Sequence, residues 1–472
     1  MIKSGFYLTF FNTLAAVLGL VRNIIVARFI SVEDFGIAST FAMAMALIDM
    51  SANIGINRLI VQSKDGHSED FQATLQGFQV ARGFFGGALI LALAHPLANL
   101  FHTPQAAWAY QFMALMPIVK GFAHLDMNRF QRERKFLPQV VSETGAQALS
   151  TLLALALGYW LRDYRAMLFA LLGQNLVYLV VSQVFAERNY RLGWNGEQIR
   201  KAAKFGWPLL LNGFLMFSIF HGDRLVIGNH LGVGVLGWYS VAFMLTLMPA
   251  GIIAKVLDTM CLPLLARHQS DPEKFKEIAG ATLEAGCLIG VAMAVGFALL
   301  GGPVVHVLFG AKHADALIVL VILAVMQAVR IAKTGPSIVA IARHETTNPM
   351  IANVVRALFV PVALITLNLG YGITSVVYVA ITGEVMALLV SFWLLISKLD
   401  MDSGYLARLS LASALVLSVT IAYEMLHPAQ AFAIKSWFGI LIVLATIIYV
   451  SQLPYLMKFG RQYLEARKSK TV

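Results

Sequence analysis

Long apolar segments alternate with short polar stretches along almost the whole chain. A helix needs about 20 mostly apolar residues to cross a bilayer, because each residue adds about 1.5 Å to its length. About fourteen segments reach that length, and nothing between them is long enough for a soluble domain. The pattern predicts an all-α integral membrane protein with helices over residues 5–29, 36–61, 71–99, 106–128, 137–161, 166–186, 203–230, 235–266, 275–301, 315–342, 349–369, 372–397, 405–426 and 433–457.

Basic residues are concentrated in every second loop. Short loops rich in Lys and Arg stay on the cytoplasmic side of a membrane. The opposite loops carry little beyond Arg162, Arg165, Lys312 and Lys435. We therefore expect a multi-pass protein of the cell inner membrane with both termini in the cytoplasm. The basic loops and tail contain Arg129, Arg132, Arg134, Lys135, Arg188, Arg191, Arg200, Lys201, Lys204, Arg267, Lys274, Lys276, Lys458, Arg461, Arg467, Lys468 and Lys470.

The composition agrees with a membrane protein, since 58% of residues are hydrophobic and 13% charged, against about 45–50% and about 25% in soluble domains. Lys and Arg total 36 against 25 Asp and Glu. Because this surplus lies in loops on one side, it indicates contact with anionic membrane lipids and argues against nucleic acid. Cys261 and Cys287 cannot form a disulfide framework or a Cys-based zinc site. The first apolar run lacks a small-residue cleavage site, which predicts a retained helix.

An internal repeat is the next feature of the chain. A shift of 201 residues aligns Gly36 with Gly237 and Ser39 with Ser240, within the same helix-loop-helix unit. Six predicted helices separate the copies, so both halves face the same way across the membrane. We predict an N-terminal six-helix lobe over 1–190, a C-terminal six-helix lobe over 200–398, two additional helices over 403–458 and a basic cytoplasmic tail over 459–472.

Polar side chains inside the apolar segments are the functional candidates. An ionisable group at the bilayer centre costs about 2.5–3.5 kcal/mol on insertion scales, so it is retained mainly where it faces a bundle interior or a wet cavity. We expect the substrate cavity to be lined by Arg22, Asn23, Asp49, Asn53, Asn57, Arg82, Lys120, Asp223, Arg224, Lys255, Asp258, Arg330 and Lys333. Coupling-ion candidates are Asp49, His221, Asp223, Glu284 and Glu384, the two glutamates having no partner that the sequence identifies.

Structural roles compete with these functional ones. Asp223 beside Arg224, and Lys255 three residues before Asp258, could be ion pairs that fix helix packing. The stripe of Asp49, Asn53 and Asn57 could instead hold neighbouring helices together through hydrogen bonds. The ionisable side chains inside the apolar segments nevertheless include more basic than acidic residues, and cations in a low-dielectric cleft attract a phosphate-bearing substrate. The basic members are Arg22, Arg82, Lys120, Arg224, Lys255, Arg330, Lys333 and Arg356.

Catalytic motifs do not accompany this pattern. The sequence contains no GxxxxGK[ST], HExxH or GxSxG, and no segment long enough for a domain that hydrolyses ATP. We therefore expect a transporter rather than an enzyme, without cofactor or metal. An ion gradient, the membrane potential or the substrate gradient would drive it, with H⁺ or Na⁺ as the candidate coupling ion.

Several segments resemble one family of transporters. They are VARFISVEDFGIAST from Val26, its second copy DRLVIGNHLGVGVLGWYSVAF from Asp223, FQRERKF from Phe130 and LPLLARH from Leu262. Together the chain resembles a Wzx-type lipid-linked oligosaccharide flippase of the multidrug/oligosaccharidyl-lipid/polysaccharide exporter superfamily. This resemblance implies a MATE-like fold with two six-helix lobes around a cavity lined by helices 1, 2, 7 and 8, plus two C-terminal helices.

The resemblance also implies an activity and partners. Such a protein moves an undecaprenyl-pyrophosphate-linked oligosaccharide from the cytoplasmic to the periplasmic leaflet by alternating access, for exopolysaccharide, capsule or O-antigen synthesis. A polysaccharide polymerase and a chain-length regulator are the implied protein partners. A lipid II flippase or a cation-coupled drug or metabolite exporter of the same superfamily stays open. A membrane polysaccharide polymerase or ligase is more remote, because it would need a long periplasmic loop with His and Arg.

Overall fold

The computed structural model describes residues 2–52, 56–133, 135–399, 401–426 and 437–458. This part of the chain folds into α-helices and three short 3₁₀ helices, without a strand. The predicted all-α architecture is confirmed. The chain divides into two compact units, residues 1–240 and 241–472. The lobe boundaries at residues 190 and 398 stay predictions.

The first unit begins with two long helices and ends in the first turns of a helix that continues into the second unit. The bounds are α1 Ile2–Phe29, α2 Val32–Ala52, α3 Ile56–Gln62, α4 Glu69–Leu100, α5 Ala107–Met113, α6 Leu115–Gly121, α7 Asp126–Arg132, α8 Leu137–Leu161, α9 Arg165–Val184, α10 Gly196–His230 and α11 Gly232–Arg267.

The second unit consists mainly of long helices. Two of them pack through small residues: a Cβ atom at Gly290 would lie 2.6 Å from the carbonyl oxygen of Ala328. Such close backbone approach is how helices associate where lipid removes the hydrophobic driving force. The bounds are α12 Pro272–Phe309, α13 Leu317–Ala342, α14 Thr347–Ala357, α15 Phe359–Asn368, α16 Ile373–Leu399, α17 Ser403–Leu426 and α18 Trp437–Ser451.

Prolines divide two of the predicted membrane segments. Proline has no amide hydrogen and its ring clashes with the carbonyl four residues earlier. Pro117 therefore separates α5 from α6 next to Met113, and the predicted segment 106–128 becomes α5, α6 and α7. Pro361 acts in the same way on Ala357, where α14 ends before α15.

Ten stretches of helix among the described residues are long and apolar enough to cross a membrane. The protein is therefore a multi-pass membrane protein, while fourteen membrane helices stay a prediction. The ten stretches are Glu69–Leu100, Leu137–Leu161, Arg165–Val184, Gly196–His230, Gly232–Arg267, Pro272–Phe309, Ala311–Ala342, Thr347–Asn368, Ile373–Leu399 and Ser403–Met425.

Candidate functional site

The first unit contains a cavity of about 540 Å³ between α2, α4, α6 and α10. Most of its wall is apolar. Met43 and Leu47 of α2, Leu89 and Leu93 of α4 and Phe214 of α10 contribute to this wall. A cavity with such a lining accepts hydrocarbon, because apolar surface is transferred there from water at a favourable free energy.

Two basic side chains, Arg82 and Lys120, line the same cavity. They share one level because α4 and α6 touch beside them, where a Cβ atom at Gly83 would lie 3.2 Å from the Cα atom of Gly121. From Arg82 the cavity lining continues along α4 to Leu100, a distance of about 27 Å at 1.5 Å per residue. The cavity is amphiphilic, with cations towards one end and apolar walls along the rest.

Arg22 has a packing role in the first unit. It is 9% exposed, and its Nη1 atom donates to Ser150 Oγ on α8 at 3.0 Å and to Gln174 Oε1 on α9 at 2.6 Å. Gln174 Nε2 in turn donates to Gln147 Oε1 at 2.9 Å. This polar network ties α1 to two helices, while Asn23 is half-buried on the same helix.

Asp223 and Arg224 join α10 to the start of α11, while His221 packs against its own helix. Tyr239 donates its hydroxyl hydrogen to Asp223 Oδ2 at 2.5 Å, and Arg224 Nη2 donates to Ser240 Oγ at 3.3 Å. The ring of His221 stacks on Phe217, with 5.1 Å between their centroids, and Phe217 lines the cavity. Of the three predicted site residues, His221 therefore lies beside the cavity.

The predicted polar stripe of the second membrane segment is not fully visible. Asn53 lies outside the described residues. Asp49 and Asn57 belong to α2 and α3, but their side chains are also outside what the structure describes. The roles expected of all three stay predictions.

A group of charges lies inside the second unit. Glu384 of α16 accepts hydrogen bonds at Oε1 from Arg330 Nε on α13 and from Arg356 Nε on α14, each at 2.8 Å. Lys333, one turn beyond Arg330, donates to Asn353 Oδ1 at 3.2 Å. The structure thus supplies the partners of Glu384 that the sequence could not identify.

Glu284 also has partners that come from distant parts of the chain. It is fully buried and accepts hydrogen bonds from the Tyr405 hydroxyl at 3.0 Å and from the backbone amides of Tyr455 and Leu456 at 3.3 and 2.8 Å. These bonds attach α12 to α17 and to the backbone after α18.

Lys255 and Asp258 are exposed on α11. The sequence left open an ion pair between Lys255 and Asp258. That ion pair is not formed, and neither side chain has another ion-pair partner among the residues that the structure describes. Both lie within the membrane-spanning stretch Gly232–Arg267. Their role as cavity residues stays a prediction.

Sequence reasoning missed Asp126, a fully buried carboxylate at the start of α7. It accepts hydrogen bonds from Gln72 Nε2 at 2.8 Å, from Arg129 Nε at 2.9 Å and from the amides of Glu187 and Arg188, both at 2.9 Å. Burial opposes the charge of Arg129, but Asp126 and Glu187 raise the pKa of Arg129 above its ordinary value. The three-residue spacing of Asp126 and Arg129 was the one available signal.

Solved structures similar to this chain share its fold. A lipid II flippase MurJ, in an inward closed conformation, superposes with a TM-score of 0.67 over 98% of this chain and 100% of that chain, at 16% identity. An inward-facing multidrug resistance MATE family transporter of the MOP superfamily superposes with a TM-score of 0.66 over 82% of this chain and 96% of that chain, also at 16% identity. The predicted MATE-like fold is confirmed.

Curated relatives add sequence similarity. Lipopolysaccharide biosynthesis protein WzxC of Escherichia coli (strain K12) is 24% identical over 66% of this chain and 64% of that protein. Succinoglycan biosynthesis transport protein ExoT of Rhizobium meliloti (strain 1021) is 25% identical over 65% and 62%. Amylovoran biosynthesis protein AmsL of Erwinia amylovora is 23% identical over 68% and 82%. The similarity thus spans just under two thirds of WzxC and ExoT.

One family covers most of the chain directly. The family described as "Polysaccharide biosynthesis protein" matches residues 25–318, which include α2 to α12 and the whole cavity of the first unit. With this match over more than half of its length, the chain belongs to the polysaccharide biosynthesis protein family.

Proposed function

We propose that the protein is a flippase for an undecaprenyl-pyrophosphate-linked oligosaccharide. It moves the repeat unit from the cytoplasmic to the periplasmic leaflet by alternating access, for synthesis of an exopolysaccharide, capsule or O-antigen. Membership of the family and relatives named for lipopolysaccharide, succinoglycan and amylovoran biosynthesis support this proposal.

The amphiphilic cavity of the first unit is the observation that carries the proposal. A polyprenyl pyrophosphate combines a long hydrocarbon chain with a strongly anionic group. Arg82 and Lys120 offer charge-assisted hydrogen bonds to phosphate oxygens, and the apolar wall along α4 offers contact to hydrocarbon. The cavity therefore suits both parts of one lipid, and we assign the pyrophosphate contact to these two side chains.

Orientation and partners belong to the same proposal. We place the protein in the inner membrane with both termini in the cytoplasm, since the basic loops contain Arg129, Lys135 and Arg188. Delivery of repeat units to the periplasmic leaflet requires an enzyme that polymerises them there. A polysaccharide polymerase and a chain-length regulator are the proposed partners.

The alternatives have less support. The likeness to the lipid II flippase and to the MATE transporter is at 16% identity and concerns the fold alone. The family and the relatives that share sequence are named for polysaccharides. The polysaccharide flippase is therefore favoured over a lipid II flippase or a drug exporter.

Filling the cavity tests the proposal. In a strain whose own copy is deleted, Ala44→Phe places a ring in the cavity, and the double variant Arg82→Gln/Lys120→Gln removes its charges. Surface polysaccharide should fall at least about tenfold, since hydrogen bonds to charged groups contribute about 1.5–3 kcal/mol each. The lipid-linked repeat unit should accumulate with its glycan on the cytoplasmic side.

Matched controls separate transport from folding. Ala88→Phe introduces the same ring on an exposed position of α4, and Arg162→Gln removes an exposed charge. Both should export normally at equal amounts of membrane-inserted protein, measured by immunoblot. Normal export by the cavity variants at matched protein levels would contradict the proposal.

A further inference from the structure

Lys333 is a buried lysine without a carboxylate partner in the described part of the chain. It is 6% exposed and lies in the membrane-spanning part of α13. Its Nζ atom donates to a neutral acceptor, Asn353 Oδ1, at 3.2 Å. A buried ammonium group is costly because the protein replaces its lost hydration only in part, and the nearby carboxylate of Glu384 is shared with Arg330 and Arg356. Lys333, Arg330 and Arg356 therefore bring three positive charges to one carboxylate, so the cluster carries uncompensated positive charge.

The acceptor of Lys333 is shared with a second cation. Arg356 Nη1 donates to the same Asn353 Oδ1 at 3.1 Å. Two cationic donors thus converge on one amide oxygen, although an amide oxygen carries only a partial negative charge. An anionic oxygen at that point would interact far more strongly with both donors.

The neighbouring carboxylate is already engaged elsewhere. Glu384 Oε1 accepts from Arg356 Nε and from Arg330 Nε. Among the described residues, the ion pairs of Glu384 are with Arg330 Nη2 at 2.7 Å and Arg356 Nη2 at 2.6 Å. Asn353 itself is half-buried, whereas Lys333 and Arg356 are buried.

We propose that Lys333, Arg356 and Asn353 form a binding site for a phosphate group, either free inorganic phosphate or the phosphate of a lipid headgroup. Arginine matches the geometry of phosphate oxygens and lysine adds a point charge, which suits an anion with several oxygens better than a halide. The site lies within the second unit and does not rest on the proposed flippase activity.

Thermal unfolding of the purified full-length protein in detergent tests the site. Sodium phosphate, at ionic strength matched with sodium chloride, should raise Tm of the wild type by about 2 °C or more and should saturate. Lys333→Met should raise Tm without phosphate, since it removes a buried charge, and should abolish the phosphate response. Asn353→Asp supplies an internal anion, so it should also raise Tm and abolish the response.

A matched control and a lipid arm complete the test. Lys398→Gln removes an exposed lysine paired with Glu345 in the same unit, and should keep the full response. The same rise in Tm with phosphate is then measured in nanodiscs. If it is lost in phosphatidylglycerol but kept in phosphatidylcholine, the site binds anionic headgroups. If it is kept in both lipids, the site binds free phosphate. No phosphate-specific rise in the wild type, or an undiminished rise in Lys333→Met, would overturn the proposal.

Discussion

Gly36 at the start of α2 and Gly237 at the start of α11 make the same backbone contact in opposite directions. A Cβ atom on Gly36 would lie 1.8 Å from the carbonyl oxygen of Val233, and one on Gly237 would lie 2.1 Å from that of Val32. The two glycines are 201 residues apart, and so are the two valines. Reciprocal contacts between equivalent residues are the mark of a local twofold axis, which supports the duplication of the helix-loop-helix unit.

This contact predicts that neither glycine tolerates a side chain. Gly36→Ala and Gly237→Ala should each destabilise the protein by about 1–3 kcal/mol, because the added methyl group meets backbone that cannot rotate away. Reduced Tm and reduced membrane levels would report the loss. Gly234→Ala is the control, since its Cβ atom would lie 3.6 Å from Glu33 Cγ, an ordinary contact. Equal tolerance at all three positions would contradict this assignment.

The Arg22 network predicts that removing one hydrogen-bonding partner destabilises the protein more than removing both partners does. Gln174→Leu removes one of the two acceptors of the buried Arg22 guanidinium and leaves Ser150, so it should cost about 1.5–3 kcal/mol. The double variant Arg22→Met/Gln174→Leu should recover part of this cost, because no buried charge then lacks its partner. A double-mutant cycle on Tm of the purified protein measures the coupling.

The control for this cycle lies on the same helix. Asn175 Nδ2 bonds within α9 to the carbonyl oxygen of Leu171 at 2.8 Å, so Asn175→Leu should show no coupling to Arg22→Met. Strictly additive effects of Arg22→Met and Gln174→Leu would show that the hydrogen bond contributes nothing.

The hydrogen bonds of the buried Asp126 carboxylate predict that it stabilises the folded state and that this contribution is lost at acidic pH. Burial alone raises the pKa of Asp126, but hydrogen bonds from Arg129, the Arg188 amide and Gln72 lower it from 3.8 to about 2. Because the folded pKa is depressed, the carboxylate stabilises the folded state above about pH 4, and this contribution is lost as the pH falls from about 4 to about 2.

Comparison with Asp126→Asn measures this effect. The variant should have a lower Tm than the wild type at pH 7, and the difference should narrow as the pH falls below about 4. Asp163→Asn, which removes an exposed ion pair with Arg165, should change Tm little at either pH. A difference between wild type and Asp126→Asn that is constant with pH would rule out the charge as its cause.

Sequence patterns identified many candidate side chains but few of their partners. Arg82 and Lys120 were named from their depth in apolar segments, and the structure brings them to one cavity. Lys255 and Asp258 have the spacing of an ion pair, yet both side chains are exposed and they do not pair with each other. Spacing along one helix determines which residues share a face, whereas packing against other helices determines what that face contacts.

The sequence by itself determined that this protein is helical and crosses a membrane many times, because the length of an apolar run must match the bilayer thickness. It also indicated the repeat that makes Gly36 and Gly237 equivalent positions. Only the tertiary structure decided that Glu384 pairs with Arg330 and Arg356, that Lys333 donates to Asn353 and that an amphiphilic cavity forms beside α4. Each of these depends on helices far apart in the chain, whose mutual rotation no periodicity within a single helix encodes.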